Sequence, residues 1–233
     1  MSEKIPLVLL PGLLCDAALW AHQTRHLADL ADMRVADLTQ DDSMAAMAAR
    51  VLDSAPPKFA LAGLSMGGYV AQEIMRQGRA RVLKLALLDT SARNDTPEQS
   101  ARRHALIELA KIGKFKGVTP RLLPLLIHKD RLDDAPLVKI VMDMAESVGR
   151  DAFFRQQNAV LGRTDSRPDL AKISCPTVIV CGRQDGLTPY ELSVEIAAGI
   201  EGAKLIAIED CGHLSTLEKP EAATAVLRYW LQG

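Results

Sequence analysis

The chain has 233 residues, of which 48% are apolar and 24% are charged, and its formal net charge is −1. This length suits one domain, or one domain with an insertion, and the composition is that of a globular chain that can bury a sizeable core. A net charge this close to zero gives no electrostatic reason to expect binding to nucleic acid or to an anionic membrane.

Short apolar runs alternate with helical patterns along most of the chain. The first run, residues 5–10, is too short to cross a membrane, and Glu3 and Pro11 make it a poor signal peptide, so we expect a cytoplasmic protein. The predicted strands are residues 5–10, 33–38, 59–62, 82–88, 177–181 and 204–208. The predicted helices between and after them are residues 17–30, 44–54, 69–78, 189–199 and 220–231.

The chain turns from strand to helix at Gly63-Leu-Ser65-Met-Gly67. A corner of this kind needs a strained backbone, and glycines two before and two after it remove Cβ atoms that would collide. The pattern predicts that Ser65 is an exposed nucleophile at the start of a helix, where free N–H groups favour negative charge. A phosphate-binding turn is the alternative, but no lysine follows and the Gly-x-Gly-x-x-Gly spacing is absent.

Residues 92–169 interrupt the alternation of strand and helix. They contain no convincing strand and four helical patterns, at 97–113, 119–128, 134–148 and 151–161. Alternation on both sides predicts an α/β fold with a mostly parallel sheet flanked by helices. We therefore expect a core of residues 1–91 and 170–233, with 92–169 inserted before the last two strands as a helical cap over the carboxyl ends of the strands. A subdomain that only adds stability is the alternative.

A serine hydroxyl needs a general base, and His213 is the histidine that follows directly on a late strand. The other four histidines lie in the first helix or in the insertion. Asp185 follows the strand before it and is the predicted acid that orients the imidazole. The order Ser65, Asp185, His213 is typical of a nucleophile-elbow hydrolase. Asp89, at another strand end, is the rival acid.

The oxyanion formed by attack on a carbonyl needs two N–H donors. We expect one from Met66, directly after the nucleophile. The second should come from the turn after the first strand, where Pro11 has no N–H to give. Leu13 is the predicted donor, and Leu14 is the alternative.

The chain resembles the capped α/β-hydrolase family that includes carboxylesterases and 3-oxoadipate enol-lactonases. The matching segments are Leu10-Pro-Gly-Leu-Leu14, Gly63-Leu-Ser-Met-Gly-Gly68, Ser166-Arg-Pro-Asp-Leu170, Cys175-Pro-Thr177, Gly182-Arg-Gln-Asp185 and Gly212-His-Leu-Ser-Thr-Leu-Glu-Lys-Pro220. The resemblance implies the α/β-hydrolase fold with its serine triad, and says less about the substrate. The chain departs from the family at the oxyanion turn, where the usual His-Gly is Pro11-Gly12 here.

These residues predict a serine hydrolase that cleaves a small or medium carboxylic ester or lactone through an acyl-enzyme, with no cofactor and no metal. The four cysteines lack metal-ligand spacing and should be free thiols. A C–C bond hydrolase or perhydrolase would use the same triad, and a non-catalytic ligand-binding protein is a rival of another class. Dehalogenases and epoxide hydrolases of this fold need an aspartate at position 65. The sequence sets no oligomeric state.

The insertion should supply the substrate pocket. Its inward side chains are expected to be apolar, with these candidates: Leu106, Leu109, Leu122, Leu126, Met142 and Phe153. We see no dense cluster of arginine or lysine for a highly charged substrate. The carboxylate of a dicarboxylic lactone would need an arginine from the insertion, with Arg121 and Arg163 as the candidates.

Overall fold

A computed structural model describes residues 4–112, 115 and 117–233. Its centre is one six-stranded sheet in the order β2-β1-β3-β4-β5-β6, and every neighbouring pair is parallel. The strands are β1 Ile5–Leu10, β2 Ala31–Val35, β3 Phe59–Leu64, β4 Val82–Leu88, β5 Thr177–Gly182 and β6 Lys204–Ile208. The predicted fold class, a parallel sheet flanked by helices, is confirmed.

The sheet is buried on both faces, which explains why its strands are continuous apolar runs rather than alternating ones. In β1, Leu7 and Leu9 face one apolar cluster, whereas Val8 and Leu10 face the other. The helices of the core are α1 Ala21–His26, α2 Met44–Ser54, α3 Met66–Gly78, α7 Tyr190–Gly199, α8 Ser215–Glu218 and α9 Pro220–Gln232. Apolar residues of α2, α3 and α7 cover one face of the sheet, and those of α9 contribute to the other.

Among the described residues between β4 and β5, three segments are α-helical: α4 Pro97–Ile112, α5 Leu123–Leu126 and α6 Ala135–Leu161. Gly149, with φ 79°, breaks α6 into two pieces close to the predicted helices 134–148 and 151–161. Val118, Leu123 and Phe153 join the same apolar cluster as Leu14 of the turn after β1. The inserted segment is thus packed onto the sheet at the carboxyl end of β1.

Two predicted helices are much shorter in the structure. The predicted helix 17–30 is a 3₁₀ turn over Ala17–Trp20 followed by α1, which ends at His26 because the chain must enter β2 at Ala31. The predicted helix 119–128 is reduced to α5. It ends early because Ile127 is extended and the next amide, that of His128, donates to the Glu218 carboxylate instead. The predicted helix 97–113 ends at Ile112, and position 113 lies outside the described residues.

No helix among the described residues combines the length and the apolar character that a membrane crossing would need.

Candidate active site

Ser65 lies at the corner between β3 and α3, with φ 54° and ψ −115°. Two hydrogen bonds to the end of β4 and the residues just after it hold the backbone of Ser65 in this conformation. The Ser65 N–H donates to the Leu88 carbonyl at 2.9 Å, and the Thr90 hydroxyl donates to the Ser65 carbonyl at 2.8 Å. The strained corner that the sequence pattern predicts is therefore present, and it carries the Ser65 side chain at the carboxyl edge of the sheet.

The glycines around Ser65 are required by close backbone approach. A Cβ on Gly63 would collide with the backbone of Gly67, and a Cβ on Gly67 would collide with the carbonyls of Leu10 and Pro11. The spacing of the two glycines therefore lets α3 begin directly against β1 and β3.

His213 lies in the loop after β6 and is 2% exposed. Its Nε2 is 2.8 Å from the Ser65 hydroxyl, and its Nδ1 is 2.8 Å from Oδ2 of Asp185. One tautomer satisfies both contacts, with the proton on Nδ1 donated to the carboxylate and Nε2 accepting from the serine. The structure thus brings the three predicted residues together in one chain of hydrogen bonds. His22, His26, His104 and His128 lie elsewhere.

The Asp185 carboxylate accepts several hydrogen bonds besides that of His213. Its Oδ1 accepts from the backbone amides of Leu187 and Thr188 at 2.8 and 2.9 Å, and its Oδ2 accepts from the Thr188 hydroxyl at 2.7 Å. Burial alone would raise the pKa of Asp185, but the His213 ring and these donors outweigh it, and the pKa lies below its ordinary value. Asp185 is therefore ionised and fixed in place.

Asp89, the rival acid, is also fully buried but has different partners. One oxygen accepts from the Gly182 amide at 2.8 Å, and the other accepts from the Ser215 hydroxyl. Burial, reinforced by the nearby Asp185 charge, raises the pKa of Asp89 to about 8. Asp89 is thus largely neutral at pH 7 and joins the end of β5 to the start of α8 rather than orienting His213.

Burial lowers the pKa of His213, but the adjacent Asp185 carboxylate and its hydrogen bond raise it by more, so the pKa lies above the ordinary value of 6.5. The Asp89 and Glu218 carboxyls act in the same direction when they are ionised. An imidazole of this kind is well suited to take up and return a proton near neutral pH.

Met66, one predicted oxyanion donor, directly follows Ser65, and Leu13, the other, follows Gly12, on which a Cβ would lie 3.5 Å from the Ser65 Cβ. Within the described part of the chain, neither the Leu13 amide nor the Met66 amide has a hydrogen-bond acceptor. Leu14, the alternative donor, is wrong because its N–H is bonded to Oε1 of Gln156 at 2.9 Å.

Three supporting residues were not predicted from the sequence: Thr188, Gln156 and Glu218. Glu218 is 1% exposed, and its carboxylate accepts from the amides of Leu214 and His128 at 3.2 and 2.6 Å. It therefore ties the His213 loop to the inserted segment. Burial raises the pKa of Glu218, although these amide donors oppose the shift. The sequence offered a usable signal for Thr188, its position three residues after Asp185, and for Glu218, its place in the matching segment Gly212–Pro220, but none for Gln156.

Two expectations about the insertion are corrected. Leu109, a predicted inward residue, is 66% exposed because Ile107 and Ala110 form the buried side of α4. Arg163, a candidate partner for a substrate carboxylate, is buried in an ion pair with Asp95, whose oxygen lies 2.7 Å away. Its positive charge is already matched inside the protein. Arg121 is exposed.

A surface pocket of about 520 Å³ lies at the far end of α3 and is not part of this constellation. Arg76 lines it, but its guanidinium is occupied by Asp169 at 2.7 Å and by Glu73 and Ser166. Among the described residues, no group of three or more His, Cys, Asp or Glu side chains is arranged to hold a metal ion.

A family model described as "Alpha/beta hydrolase family" matches residues 7–226. The chain belongs to the alpha/beta hydrolase family. A Mycobacterium tuberculosis relative that carries the name of a non-heme bromoperoxidase is 30% identical over 185 residues, which are 77% of this chain and 70% of the relative.

Solved structures give the same assignment. A thermophilic esterase from Thermogutta terrifontis has a TM-score of 0.88 and 28% identity, over 99% of this hydrolase and 90% of the esterase. An enol-lactonase from Burkholderia xenovorans LB400 has a TM-score of 0.90 and 22% identity, over 100% of this chain and 93% of the lactonase, a likeness that supports the fold alone.

The two buried carboxyls should respond very differently to amidation. Asp185→Asn should lower kcat/KM by about 10⁴-fold because it favours the wrong imidazole tautomer. Asp89→Asn should cost less than about tenfold, because the replaced carboxyl is largely neutral at pH 7 and an amide can still accept from Gly182. Steady-state kinetics at pH 7 on both folded variants makes the comparison. The reverse ranking would assign the acid to Asp89.

The pH profile should report His213. Because the base must be neutral, kcat/KM should rise with pH through a midpoint above 6.5 and fall away below it. Removing the Asp185 charge should move the midpoint of the residual Asp185→Asn activity to lower pH, since that charge is what raises the pKa of His213. A profile of the wild type that is flat between pH 5 and 8 would contradict the assignment of His213.

Proposed function

We propose that this hydrolase cleaves small or medium carboxylic esters or lactones through an acyl-serine intermediate. The observation that carries the proposal is the continuous chain Ser65–His213–Asp185, with both hydrogen bonds at 2.8 Å, beside two backbone amides without acceptors among the described residues. An activated serine next to a pair of free N–H groups is the arrangement that acyl transfer needs.

The first half of the reaction follows from these contacts. The Ser65 oxygen attacks the carbonyl carbon while His213 Nε2 takes the hydroxyl proton. The carbonyl oxygen becomes an oxyanion, which the amides of Leu13 and Met66 bind, aided by the positive end of α3. His213 then gives its proton to the departing alkoxide, the bond to the leaving group breaks, and the acyl-enzyme remains.

The second half repeats the same steps with water. His213 takes a proton from the water as its oxygen attacks the acyl carbon, and the same two amides bind the second oxyanion. The proton returns to the Ser65 oxygen as the ester bond to the enzyme breaks and the acid leaves. Asp185 stabilises the imidazolium in both halves without itself being protonated.

We propose further that residues 92–169 act as a cap over the core formed by residues 1–91 and 170–233. Its side chains Leu122, Leu126 and Met142 pack into the apolar cluster that also contains Leu13 and Leu14 of the oxyanion turn. An acyl group attached to Ser65 would meet this apolar surface, and each buried CH₂ would add about 0.8 kcal/mol to binding. Arg163 is paired with Asp95, which favours an uncharged acyl group over a dicarboxylate.

Perhydrolysis is a second candidate, favoured by the relative that carries a bromoperoxidase name. Hydrogen peroxide attacking the acyl-enzyme in place of water would release a peracid, and His213 would take the peroxide proton as it takes that of water. A peracid can oxidise bromide once it has left the enzyme. Measuring peracid and acid formed from one ester with and without hydrogen peroxide separates the two activities.

Ser65 should be the residue that becomes acylated. Ser65→Ala should lower kcat by roughly 10⁴–10⁶-fold, the scale seen when the serine of such a triad is removed. The wild type should be labelled by a fluorophosphonate at Ser65, and the variant should not. A well-folded variant that keeps a tenth of the activity would rule out the triad. A wild type that takes no label would favour a non-catalytic binding protein.

The length of the acyl chain should matter. We expect activity on nitrophenyl esters from acetate to about hexanoate and on small lactones, falling for palmitate, because the proposed cap would form a short apolar roof over Ser65. Assays of a graded ester series beside an enol-lactone test this. A maximum at long acyl chains would contradict the closed cap. Inactivity on every ester and lactone, with Ser65 still labelled, would favour C–C bond hydrolysis.

A further inference from the structure

Gln156 links the second half of α6 to the turn that holds the proposed oxyanion donor Leu13. Its side chain is 0% exposed. Its Oε1 accepts from the Leu14 amide at 2.9 Å, and its Nε2 donates to the Leu38 carbonyl at 3.2 Å. Both partners belong to the core, and both lie just beyond the carboxyl ends of strands. Gln156 is therefore a buried amide whose contacts are with backbone outside its own segment.

The hydrogen bonds around this turn fix two successive peptide planes. The Cys15 amide donates to the Gly12 carbonyl at 3.1 Å. That carbonyl and the Leu13 N–H belong to the same trans peptide, so they lie in one plane and point in opposite directions. Holding the Gly12 carbonyl therefore also fixes the direction of the Leu13 N–H. Gln156 holds the next plane through the Leu14 N–H. With both planes fixed, the Leu13 N–H has one direction left.

The backbone at Leu14 shows that this arrangement has to be enforced. Leu14 has φ 58°, in the left-handed region that residues with a Cβ adopt at a cost of about 1–2 kcal/mol. Without the bond to Gln156, a buried N–H would lose its acceptor and the strained turn would lose the contact that holds it. Relaxation of Leu14 would rotate the two peptide planes next to it, Leu13–Leu14 and Leu14–Cys15. The second of these carries the Cys15 N–H that holds the Gly12 carbonyl, so the Gly12–Leu13 plane, which carries the Leu13 N–H, would lose its support.

We propose that Gln156 is a positioning residue for the oxyanion hole: it holds the Leu14 amide so that the Leu13 amide stays directed at the oxyanion formed on attack by Ser65. The proposal rests on the proposed function. It gives the insertion a role in catalysis, because the side chain of Gln156 fixes the direction of the Leu13 amide, which belongs to the core.

Arg155, the residue before Gln156 in α6, donates to the Thr39 carbonyl at 2.6 Å and attaches the same part of α6 to the core.

The test compares Gln156→Met with Gln157→Met. The first variant keeps the volume but gives up both contacts with the core. The second removes an equally buried neighbour whose oxygen accepts from Arg103 at 3.0 Å inside the insertion. Both should lower Tm by similar amounts. Gln156→Met alone should lower kcat, by about 10- to 100-fold, which is less than the 10²–10³-fold expected when an oxyanion donor is deleted. KM should stay within about twofold.

A transition-state analogue distinguishes a misplaced Leu13 amide from a general loss of stability. An alkyl boronic acid forms a tetrahedral adduct on Ser65 whose oxygen occupies the oxyanion hole, so its Ki should rise in Gln156→Met by about the factor that kcat falls. Gln156→Glu keeps an acceptor for the Leu14 amide but has no amide donor for Leu38. It should therefore recover most of kcat and of inhibitor affinity, and it serves as the second variant if Gln156→Met does not fold.

Three results would overturn the proposal: a wild-type kcat and boronate Ki in folded Gln156→Met, equal losses of kcat in Gln156→Met and Gln157→Met, or a Glu variant no better than the Met variant. Fluorophosphonate labelling of the wild type is done first. Absence of a label on Ser65 would remove the proposed function itself, whereas a labelled enzyme with an indifferent Gln156→Met removes only the role of Gln156.

Discussion

The backbone at Ser65 is the constraint on which the site depends. A residue with a Cβ at φ 54° is strained by about 1–3 kcal/mol, so the conformation persists only where its surroundings enforce it. Here the end of β4 and the residues just after it supply that enforcement, because Leu88 accepts from the Ser65 amide and Thr90 donates to the Ser65 carbonyl. The same corner starts α3 against β1, which brings the oxyanion turn alongside the serine. The strained backbone of Ser65, the start of α3 and the position of the turn after β1 therefore depend on one another.

Asp185 and Asp89 are buried carboxyls at the ends of neighbouring strands, and their different hydrogen-bond partners give them different protonation states. Asp185 accepts from two backbone amides, a threonine hydroxyl and an imidazole, and these donors keep it charged in spite of its burial. Burial raises the pKa of Asp89 to about 8, the charge of Asp185 reinforces the shift, and Asp89 has fewer donors to oppose it. Asp89 can therefore stay buried beside an ionised Asp185 because it keeps its own proton.

The sequence predicted what depends on local pattern and failed where distant contacts decide. The apolar strands, the corner at Ser65 and the strand-end positions of Asp185 and His213 are each encoded within a few residues, and the structure brings those three side chains together. Gln156 could not be found, because it meets Leu14 across 142 positions in the chain. The helix predicted at 119–128 was wrong for a related reason, since the His128 amide bonds to Glu218 rather than continuing the helix. Leu109 was misassigned because several helical stripes fitted α4 equally well.

The hydrogen bonds between the inserted segment and the His213 loop use backbone groups of the insertion. The Leu126 carbonyl accepts from the His213 amide at 3.1 Å, and the His128 amide donates to Glu218, which also holds the Leu214 amide. These contacts place no demand on the side chains of residues 126–128. In the proposed cap, the exposed side chains of the insertion can vary with the substrate, while its backbone and Gln156 hold the loops that contain His213 and Leu13. On this view substrate preference can change within the insertion without disturbing the catalytic geometry, provided that these few contacts are kept.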